Sequence, residues 1–455
     1  MTSMLALLQK YSVAGPRYTS YPTAPYFHPD FGEADWAGAL AVPAPERGLS
    51  LYAHIPFCDS LCYYCGCNMV ATQDYSKTQP YLAYLDQEMA RTAQWVDTRR
   101  LVRQLHWGGG TPTYLNPDDI RRLMAMMRSH FSLADDAEVS CEVDPRELTR
   151  AHLVALRESG FNRLSFGVQD MDPAVQQAVN RIQSEALIRQ VLDWSRELGF
   201  SSINLDLIVG LPKQTVASFS RTLERVTEWA PDRLAVFAYA HVPWLKKHQN
   251  LIKEADLPDS ATRLGLQQAV NEALGAAGYV NIGLDHFARP EDELVRAQQN
   301  KTLWRNFQGY TTRKDCDILA FGASSISQTA DVYMQNEKNL KRYQERIAAT
   351  GMAVERGLKL SRDDQIQREA ITRVMCDLEL DFTAFGREWG IVFADYFADA
   401  LADLHPLADD GLVQIEAGKI SVTANGRLFL RNIGMCFDRY LKQAASDQPR
   451  YSRTA

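Results

Sequence analysis

The chain has 455 residues, of which 46% are hydrophobic and 23% are charged. This composition is ordinary for a globular protein, and the length allows two or three domains. The formal net charge of −7 and a pI near 5.8 argue against a general nucleic-acid binder, which is usually basic. No apolar run approaches the ~20 residues that span a bilayer, and no basic segment precedes an apolar run at the start. We therefore expect a cytoplasmic protein without membrane insertion.

Residues 1–50 form the first predicted segment and carry the string GPRYTSYPTAPYF. Proline, tyrosine and threonine dominate, and helical periodicity is weak, which predicts an extended arm rather than a helix. Tyr18, Tyr21, Tyr26 and Phe27 are costly to leave in water, so we expect the arm to pack on the rest of the protein.

The cysteines are concentrated in one short stretch. Four of the eight cysteines, Cys58, Cys62, Cys65 and Cys67, fall within ten residues, just after a predicted strand at Leu51–Ile55. The first three are spaced C-x3-C-x2-C. Cysteines stay reduced in the cytoplasm, and thiolates favour zinc or an iron–sulfur cluster. The stretch therefore predicts a metal centre on the loop after this strand.

Three interpretations of this stretch compete. The cysteines could be incidental, they could hold zinc with Cys67 as a fourth ligand, or three of them could hold a [4Fe–4S] cluster whose fourth iron binds a small molecule. Only Gly66 separates Cys65 from Cys67, which makes joint ligation of one small ion awkward. The remaining cysteines are interpreted as small apolar residues: Cys141, Cys316, Cys376 and Cys436.

From residue 51 to about residue 240, strand-like runs alternate with helical ones. Helix starts are indicated by Asn116-Pro117, Asp172-Pro173 and Ser184. The alternation predicts parallel βαβ units, and both a partial barrel and a doubly wound sheet fit the pattern. The predicted strands are Leu51–Ile55, Leu101–Trp107, Glu138–Val143, Arg163–Val168, Ile203–Val209 and Leu234–Ala240.

Ligands bind at the carboxyl ends of strands in such folds, and polar groups cluster there in this sequence. Three glycines at 108–110 allow close backbone approach and offer free amides to a carboxylate. Glu142 and Gln169 end the next two strands. Asp206 lies in the apolar run INLDLIVGLP, so it must pair with a cation, with Arg181 as one candidate, or bind a ligand.

The remainder of the chain changes character twice. Residues 241–360 contain aromatic and polar stretches in which His286, Arg305 and Gln308 are candidate substrate contacts, and the small-residue run FGASSIS contains Ile326. After residue 360 the pattern predicts helices and a β-ribbon with Gly418 at its turn. This winged-helix-like unit is rich in acids, so we expect it to cover the barrel mouth rather than bind nucleic acid.

The cysteine spacing, with an aromatic residue (Tyr64) before the third cysteine, resembles the signature of the radical S-adenosylmethionine (SAM) enzymes. In that family the open iron of a [4Fe–4S] cluster chelates SAM. The strings HIPFCDSLCYYCGC and PRYTSYPTA resemble one branch, the oxygen-independent coproporphyrinogen III oxidases, which usually have Phe at the position of Tyr64. The resemblance implies an α/β fold: a partial (β/α)6 barrel at residues 51–360, the arm at 1–50, and a mostly helical domain at 361–455.

The resemblance also implies functional residues. The cluster ligands are Cys58, Cys62 and Cys65, with Cys67 outside the cluster. Contacts to a first SAM are Tyr52, Gly109, Glu142 and Ile326. Contacts to a second SAM site are Tyr64, Gly110, Thr111, Gln169, Arg181, Asp206 and Ala240.

The implied reaction is the decarboxylation of two propionates of coproporphyrinogen III to vinyl groups, with two SAM molecules per turnover. The implied partners are this substrate and a small electron donor such as flavodoxin or ferredoxin, and we expect a monomer that binds no nucleic acid. Two rivals stay open. One is a heme-binding or heme-delivering relative without decarboxylase activity, and the other is a zinc-stabilised regulatory protein. The sequence does not identify the physiological donor or the residues that hold the substrate propionates.

Overall fold

The computed structural model, which describes residues 4–443 and 451–454, is organised by one sheet of 12 strands. In chain order the strands are β1 (Gly48–Ile55), β2 (Phe57–Cys58), β3 (Val70–Ala71), β4 (Val102–Gly109), β5 (Leu133–Val143), β6 (Arg163–Gln169), β7 (Ser202–Val209), β8 (Arg233–Ala238), β9 (Val280–Gly283), β10 (His286–Ala288), β11 (Trp304–Asn306), β12 (Gly309–Thr311), β13 (Cys316–Phe321), β14 (Ile326–Gln328), β15 (Val332–Asn336), β16 (Val354–Lys359), β17 (Glu379–Asp381), β18 (Val413–Glu416) and β19 (Lys419–Val422). The helices are α1 (Met4–Tyr11), α2 (Glu33–Leu40), α3 (Thr78–Ala93), α4 (Pro117–His130), α5 (Arg150–Glu158), α6 (Pro173–Ala178), α7 (Glu185–Glu197), α8 (Val216–Trp229), α9 (Ser260–Ala276), α10 (Glu293–Gln299), α11 (Leu340–Thr350), α12 (Arg362–Cys376), α13 (Phe382–Trp389), α14 (Phe393–Tyr396), α15 (Ala398–Asp409), α16 (Leu430–Met435) and α17 (Arg439–Gln443).

The order of the strands identifies the winding. The large sheet runs β16-β15-β14-β13-β1-β4-β5-β6-β7-β8-β10-β9. Strands β1 and β4 to β8 are neighbours in chain order, and every pair among them is parallel. A doubly wound sheet would reverse its order beside the first strand, so this is barrel winding. Within the described residues the sheet does not close, and the expected partial barrel is confirmed.

The connecting helices begin where the sequence predicts them. The Asn116 side chain accepts a hydrogen bond from the Asp119 amide at 2.9 Å. Asp172 and Ser184 cap α6 and α7 in the same way. Each cap satisfies an amide that the first helical turn leaves without a partner. The apolar faces of α4 and α7 then pack on the sheet and bury the barrel core, whereas α6 packs in a separate small cluster.

The arm differs from its prediction. Residues 1–50 were expected to be extended without helix, but they contain α1 and α2. In α2, Trp36 and Leu40 lie one turn apart and are 1% and 4% exposed, so burial of one apolar face stabilises a helix too short to show periodicity. Between the helices, Tyr18 and Tyr21 are buried as expected.

The arm joins the barrel to the C-terminal helices. The Tyr18 hydroxyl donates to Asp438 at 2.9 Å, and Arg431 donates to the backbone oxygens of Gly15 and Pro16. On the barrel side, the His28 amide donates to the Gly357 oxygen at 2.8 Å. The arm is therefore held by both parts of the chain.

The C-terminal part is mostly helical, as expected. Helices α12 to α17 surround the three-stranded sheet β17-β19-β18. Its core also takes in Leu7, Tyr18 and Ile282 from earlier in the chain, so the unit is packed jointly with the arm and with β9. The domain boundary at residue 360 stays a prediction. None of the described helices is both long and apolar enough to cross a bilayer.

The C-terminal β-ribbon provides a test of backbone packing. A Cβ added at Gly426 would lie 1.9 Å from the Leu412 carbonyl oxygen, whereas one at Gly418 would meet nothing within 4 Å. We expect Gly426→Ala to lower the free energy of unfolding by about 2 kcal/mol or more, because backbone must move to remove the overlap. Gly418→Ala, the matched control, should stay within about 0.5 kcal/mol of the parent protein in thermal or urea unfolding. Equal effects would contradict this packing.

Glu88 provides a test of buried charge. It lies on α3, is 1% exposed, and accepts hydrogen bonds from the Gly322 amide at 2.9 Å and the Tyr343 hydroxyl at 2.6 Å. Burial raises its pKa to about 7. These bonds attach α3 to the loop between β13 and β14 and to α11.

Because the folded-state pKa of Glu88 exceeds the unfolded value, its contribution to stability falls as pH rises through about pH 7. We expect Glu88→Gln to gain about 2 kcal/mol of unfolding free energy relative to the parent between about pH 5 and pH 8. Chemical denaturation at several pH values measures this difference. Glu272→Gln, at an exposed position on α9, is the control and should follow the parent profile. A Glu88→Gln profile parallel to that of the parent would refute the raised pKa.

Candidate active site

The candidate site lies at the carboxyl edge of the parallel strands. Ile55 at the end of β1 is paired in register with Gly109 at the end of β4. Val143 at the end of β5 is paired with Phe166 on β6. Parallel strands all present their carboxyl ends on one edge, so the loops that follow them converge. The cysteine loop and the glycine run are brought together in this way.

The two ends of the cysteine loop pair with each other, and hydrogen bonds to its backbone hold it in place. Cys58 pairs with Ala71 in the short parallel ladder of β2 and β3. From the segment after β8, His248 donates to the Cys65 oxygen at 2.7 Å and Gln249 to the Tyr64 oxygen at 2.9 Å. Polar contacts to the backbone leave the loop side chains available for other interactions.

The three predicted cluster ligands have different electrostatic surroundings. The Cys58 thiol lies 3.7 Å from the Thr111 hydroxyl, and burial raises its pKa to about 12. The buried Cys62 sulfur accepts from the guanidinium groups of Arg146 at 3.4 Å and Arg181 at 3.5 Å. A hydrogen bond from Cys67 lowers the pKa of Cys65 to about 6. The two guanidinium groups place positive charge beside the Cys62 sulfur.

The donor chemistry of this loop fits an iron–sulfur cluster. Three thiols lie on one short loop, and the guanidinium groups beside Cys62 can offset the negative charge of a cluster. Among the residues that the structure describes, no three Cys, His, Asp or Glu side chains are grouped to hold one metal ion. A [4Fe–4S] cluster meets each thiolate through a different iron, so it does not require the sulfurs to meet at one point. Cys58, Cys62 and Cys65 are therefore suitable ligands.

Three of the residues predicted to contact a first SAM lie together. The Gly109 amide donates to the Glu142 carboxylate at 3.1 Å, and the Tyr52 ring stacks on His106 at 5.8 Å. Glu142 keeps 45% of its side-chain surface accessible, so it faces the open interior. Although its deep position opposes ionisation, His106 and the Gly109 amide lower its pKa. The fourth residue, Ile326, begins β14, which β13 separates from β1.

The glycine run acts through close packing rather than through free amides. The Gly110 amide donates to the Ile55 oxygen at 2.8 Å, and the Gly109 amide is taken by Glu142. The expectation that these amides are free is therefore wrong. A Cβ at Gly110 would lie 2.7 Å from the Phe57 oxygen, and Gly109 has φ of +117°, so both positions require glycine.

The second set of predicted SAM contacts surrounds the cysteine loop more widely. The Thr111 amide donates to the Phe57 oxygen at 2.8 Å, and Gln169 ends β6 with φ of +66°. A positive φ is rare for a residue with a side chain and is commonly found at functional sites. Tyr64 lies in a small apolar cluster beside the loop, and Ala240 follows the end of β8.

Arg181 was one candidate cation for Asp206, but the two side chains form no ion pair. Asp206 accepts from Ser165 at 3.0 Å and from Asn204 at 2.7 Å. Arg181 instead binds Asp144 at 3.0 Å and the Cys62 sulfur. Burial, together with the charge of Glu142, raises the pKa of Asp206 to about 7. The hydrogen-bond partners of Asp206 are thus neutral side chains. Arg181 binds Asp144 and Cys62 instead.

Arg146 and His248 are among the residues that contact the cysteine loop without having been predicted. Arg146 binds Asp144 at 2.6 Å and also reaches Cys62. His248 donates to the loop backbone. The run Asp144-Pro145-Arg146 directly after a predicted strand could have indicated the first contact. The second depends on a segment nearly two hundred residues away, and only folding brings it to the loop.

Two family models match parts of the chain, and known enzymes match nearly all of it. The sequence profile of the radical SAM superfamily matches residues 52–226, and that of the HemN C-terminal domain matches residues 360–429. The oxygen-independent coproporphyrinogen III oxidase of Salmonella typhimurium is 54% identical over 444 residues, which cover 98% of this chain and 97% of that protein. The enzyme of the same name from Escherichia coli is 52% identical with the same coverage.

A solved structure agrees with the sequence relatives. Coproporphyrinogen III oxidase (HemN) from Escherichia coli, described as a radical SAM enzyme, superposes with a TM-score of 0.92 at 51% identity, over 96% of this chain and 98% of that one. The chain therefore belongs to the family of oxygen-independent coproporphyrinogen III oxidases within the radical SAM superfamily.

Proposed function

We propose that this protein converts coproporphyrinogen III to protoporphyrinogen IX in heme biosynthesis, without oxygen. Each of two propionate side chains loses one hydrogen atom to the radical, one electron to an acceptor from outside the chain, and CO2, and becomes a vinyl group. The observation that carries the proposal is the loop of three thiols at the carboxyl edge of a parallel barrel, with two arginines at Cys62. Relatives at 52% and 54% identity over nearly the whole chain are named for this oxidase.

Membership of the radical SAM superfamily implies a [4Fe–4S] cluster and SAM. When bound, these groups supply a 5′-deoxyadenosyl radical that removes a hydrogen atom from the β-carbon of a propionate. Cys58, Cys62 and Cys65 would ligate the cluster. Two SAM molecules per turnover suit a substrate that reacts twice. In this chemistry the protein binds, orients and excludes water, because the reactive groups belong to the cofactors.

The side chains around the loop have separate roles in this proposal. Arg146 and Arg181 balance the negative charge that builds up on sulfur. Glu142, ionised and facing the interior, would accept the ammonium group of a first SAM, in a subsite with Tyr52, Gly109 and Ile326. The second SAM subsite would be lined by Tyr64, Gly110, Thr111, Gln169, Arg181, Asp206 and Ala240.

The remaining parts of the chain would close the site. The arm (1–50) reaches the barrel mouth, where Arg17 donates to the Ala238 oxygen at 3.0 Å. The catalytic barrel would span 51–360 and the helical cover 361–455. The enzyme would be a cytoplasmic monomer that receives electrons from a flavodoxin or ferredoxin. Closure matters because a primary carbon radical is quenched by water and by stray side chains.

Anaerobic reconstitution tests the proposed reaction. The full chain is loaded with iron and sulfide, then given SAM, a strong reductant and coproporphyrinogen III. We expect CO2, a divinyl porphyrinogen and 5′-deoxyadenosine, with two molecules of the nucleoside per product. Cys62→Ser is the control and should form none of them. Tight heme binding together with SAM cleavage but no vinyl product would instead support the heme-delivering relative.

Cys67 and Cys62 provide a matched pair of variants in one loop. Cys67 bonds to the Cys65 sulfur through its backbone amide at 3.4 Å and stands outside the proposed ligand set. We expect Cys67→Ser to keep its iron and its charge-transfer absorption, whereas Cys62→Ser loses most of both. Iron and sulfide analysis with visible spectroscopy measures the difference. Equal iron loss in the two variants would show that the ligand assignment is wrong.

A further inference from the structure

A small polar cavity lies where three separate parts of the chain meet. Ser20 of the arm, Arg305 of β11 and Arg368 of α12 line it, with Gln328 and Tyr333 from the edge of the large sheet. Its free volume is about 10 Å³, which is room for one water-sized group. The cavity is thus too small for a ring but large enough for the tip of a carboxylate.

The cavity wall carries polar atoms without partners. Ser20 Oγ, Arg305 Nε and Nη1, and Arg368 Nη1 are all buried and make no hydrogen bond in the structure. Arg305 lies over the Tyr310 ring at 4.9 Å, and Arg368 donates through Nη2 to the Ala330 oxygen at 2.8 Å. Within residues 4–443 and 451–454, neither guanidinium forms an ion pair.

Two unpaired guanidinium groups around one cavity are energetically unfavourable. Both arginine side chains are partly exposed, so water screens their charges in part, but several of their nitrogens are buried without a partner and the two like charges repel each other. The buried arginines Arg100 and Arg181 have carboxylate partners, whereas Arg431 is bound by backbone oxygens. A carboxylate is the group that a pair of guanidinium forks binds best. An anion from outside the chain would supply the partner that these nitrogens lack.

The cavity shares strand β14 with a residue of the candidate active site. Gln328, which lines the cavity, and Ile326, a proposed SAM contact, lie two residues apart on β14. Side chains at i and i+2 of a strand point to the same face, about 7 Å apart. A group held in the cavity would place the body of its molecule beside Ile326, in the region where the proposed radical forms.

We propose that this cavity binds one propionate carboxylate of the tetrapyrrole substrate, with Arg305 and Arg368 as the binding groups and Ser20 as a further donor. This assignment rests on the proposed function, since it takes the substrate to be a porphyrinogen with propionate side chains. The bound carboxylate orients the macrocycle and joins the arm, the barrel and the C-terminal helices around it.

The test uses the full-length protein with Arg305→Gln, Arg368→Gln and, as the matched control, Arg387→Gln at an exposed position of α13. Binding of coproporphyrin III, the oxidised and fluorescent form of the macrocycle, is measured by titration, and KM and kcat are measured in the anaerobic assay. We expect each cavity variant to weaken binding and raise KM about tenfold or more, with a smaller change in kcat. Arg387→Gln should match the parent.

Two further measurements separate binding from folding. Neither arginine forms an ion pair, and each loses only one other contact on substitution, so the melting temperatures of the cavity variants should stay within about 4 °C of the parent. Arg305→Lys, which keeps the charge but loses the planar fork, should bind the porphyrin with intermediate affinity. The tetramethyl ester of the porphyrin should bind the parent and Arg305→Gln equally weakly.

The possible results distinguish a failure of the cavity assignment from a failure of the proposed function. If the parent binds and converts the substrate while both cavity variants match Arg387→Gln, the cavity assignment is overturned and the proposed function stands. If the parent neither binds the porphyrin nor forms product, the proposed function fails. If inorganic phosphate displaces the porphyrin from the parent more strongly than acetate does, the cavity is a phosphate site and the assignment is wrong.

Discussion

The structure depends on how one short loop is held at the carboxyl edge of a parallel sheet. Its ends pair as β2 and β3, and its carbonyl oxygens accept hydrogen bonds from the segment after β8. Because the backbone of the loop is satisfied by these contacts, its thiols do not need to serve the fold. Cys58, Cys62 and Cys65 are free to take a cofactor, and the barrel winding places their neighbours on the same edge.

Charge is arranged around this loop in two layers. Arg146 and Arg181 reach the Cys62 sulfur and share the carboxylate of Asp144, whose pKa they hold at about 2 despite its burial. Further inside, Glu142 is held ionised by His106 and by a backbone amide, whereas Asp206 has only neutral hydrogen-bond partners. Positive charge therefore lies at the thiols, and negative charge faces the space where a sulfonium nucleotide would lie.

The arm packs against both the barrel and the C-terminal helices. Tyr18 and Tyr21 are buried between the two parts, and Arg431 binds the backbone of the arm. The cavity with Arg305 and Arg368 lies at this junction. A substrate carboxylate there would supply the anion that the fold lacks, which would couple substrate binding to closure of the site.

The sequence by itself determined the strand and helix alternation, the helix caps and the thiol loop, because periodicity and spacing are local properties. It also placed Gly109 and Glu142 at the carboxyl ends of two successive predicted strands. It did not give the two helices in the arm, which are stabilised by burial. It offered Arg181 as one candidate partner of Asp206, which Arg181 does not bind, and it missed His248, because partner choice depends on contacts between segments far apart in the chain. The strand order that makes the sheet a barrel was likewise decided only by the tertiary structure, since local patterns do not record which strands become neighbours.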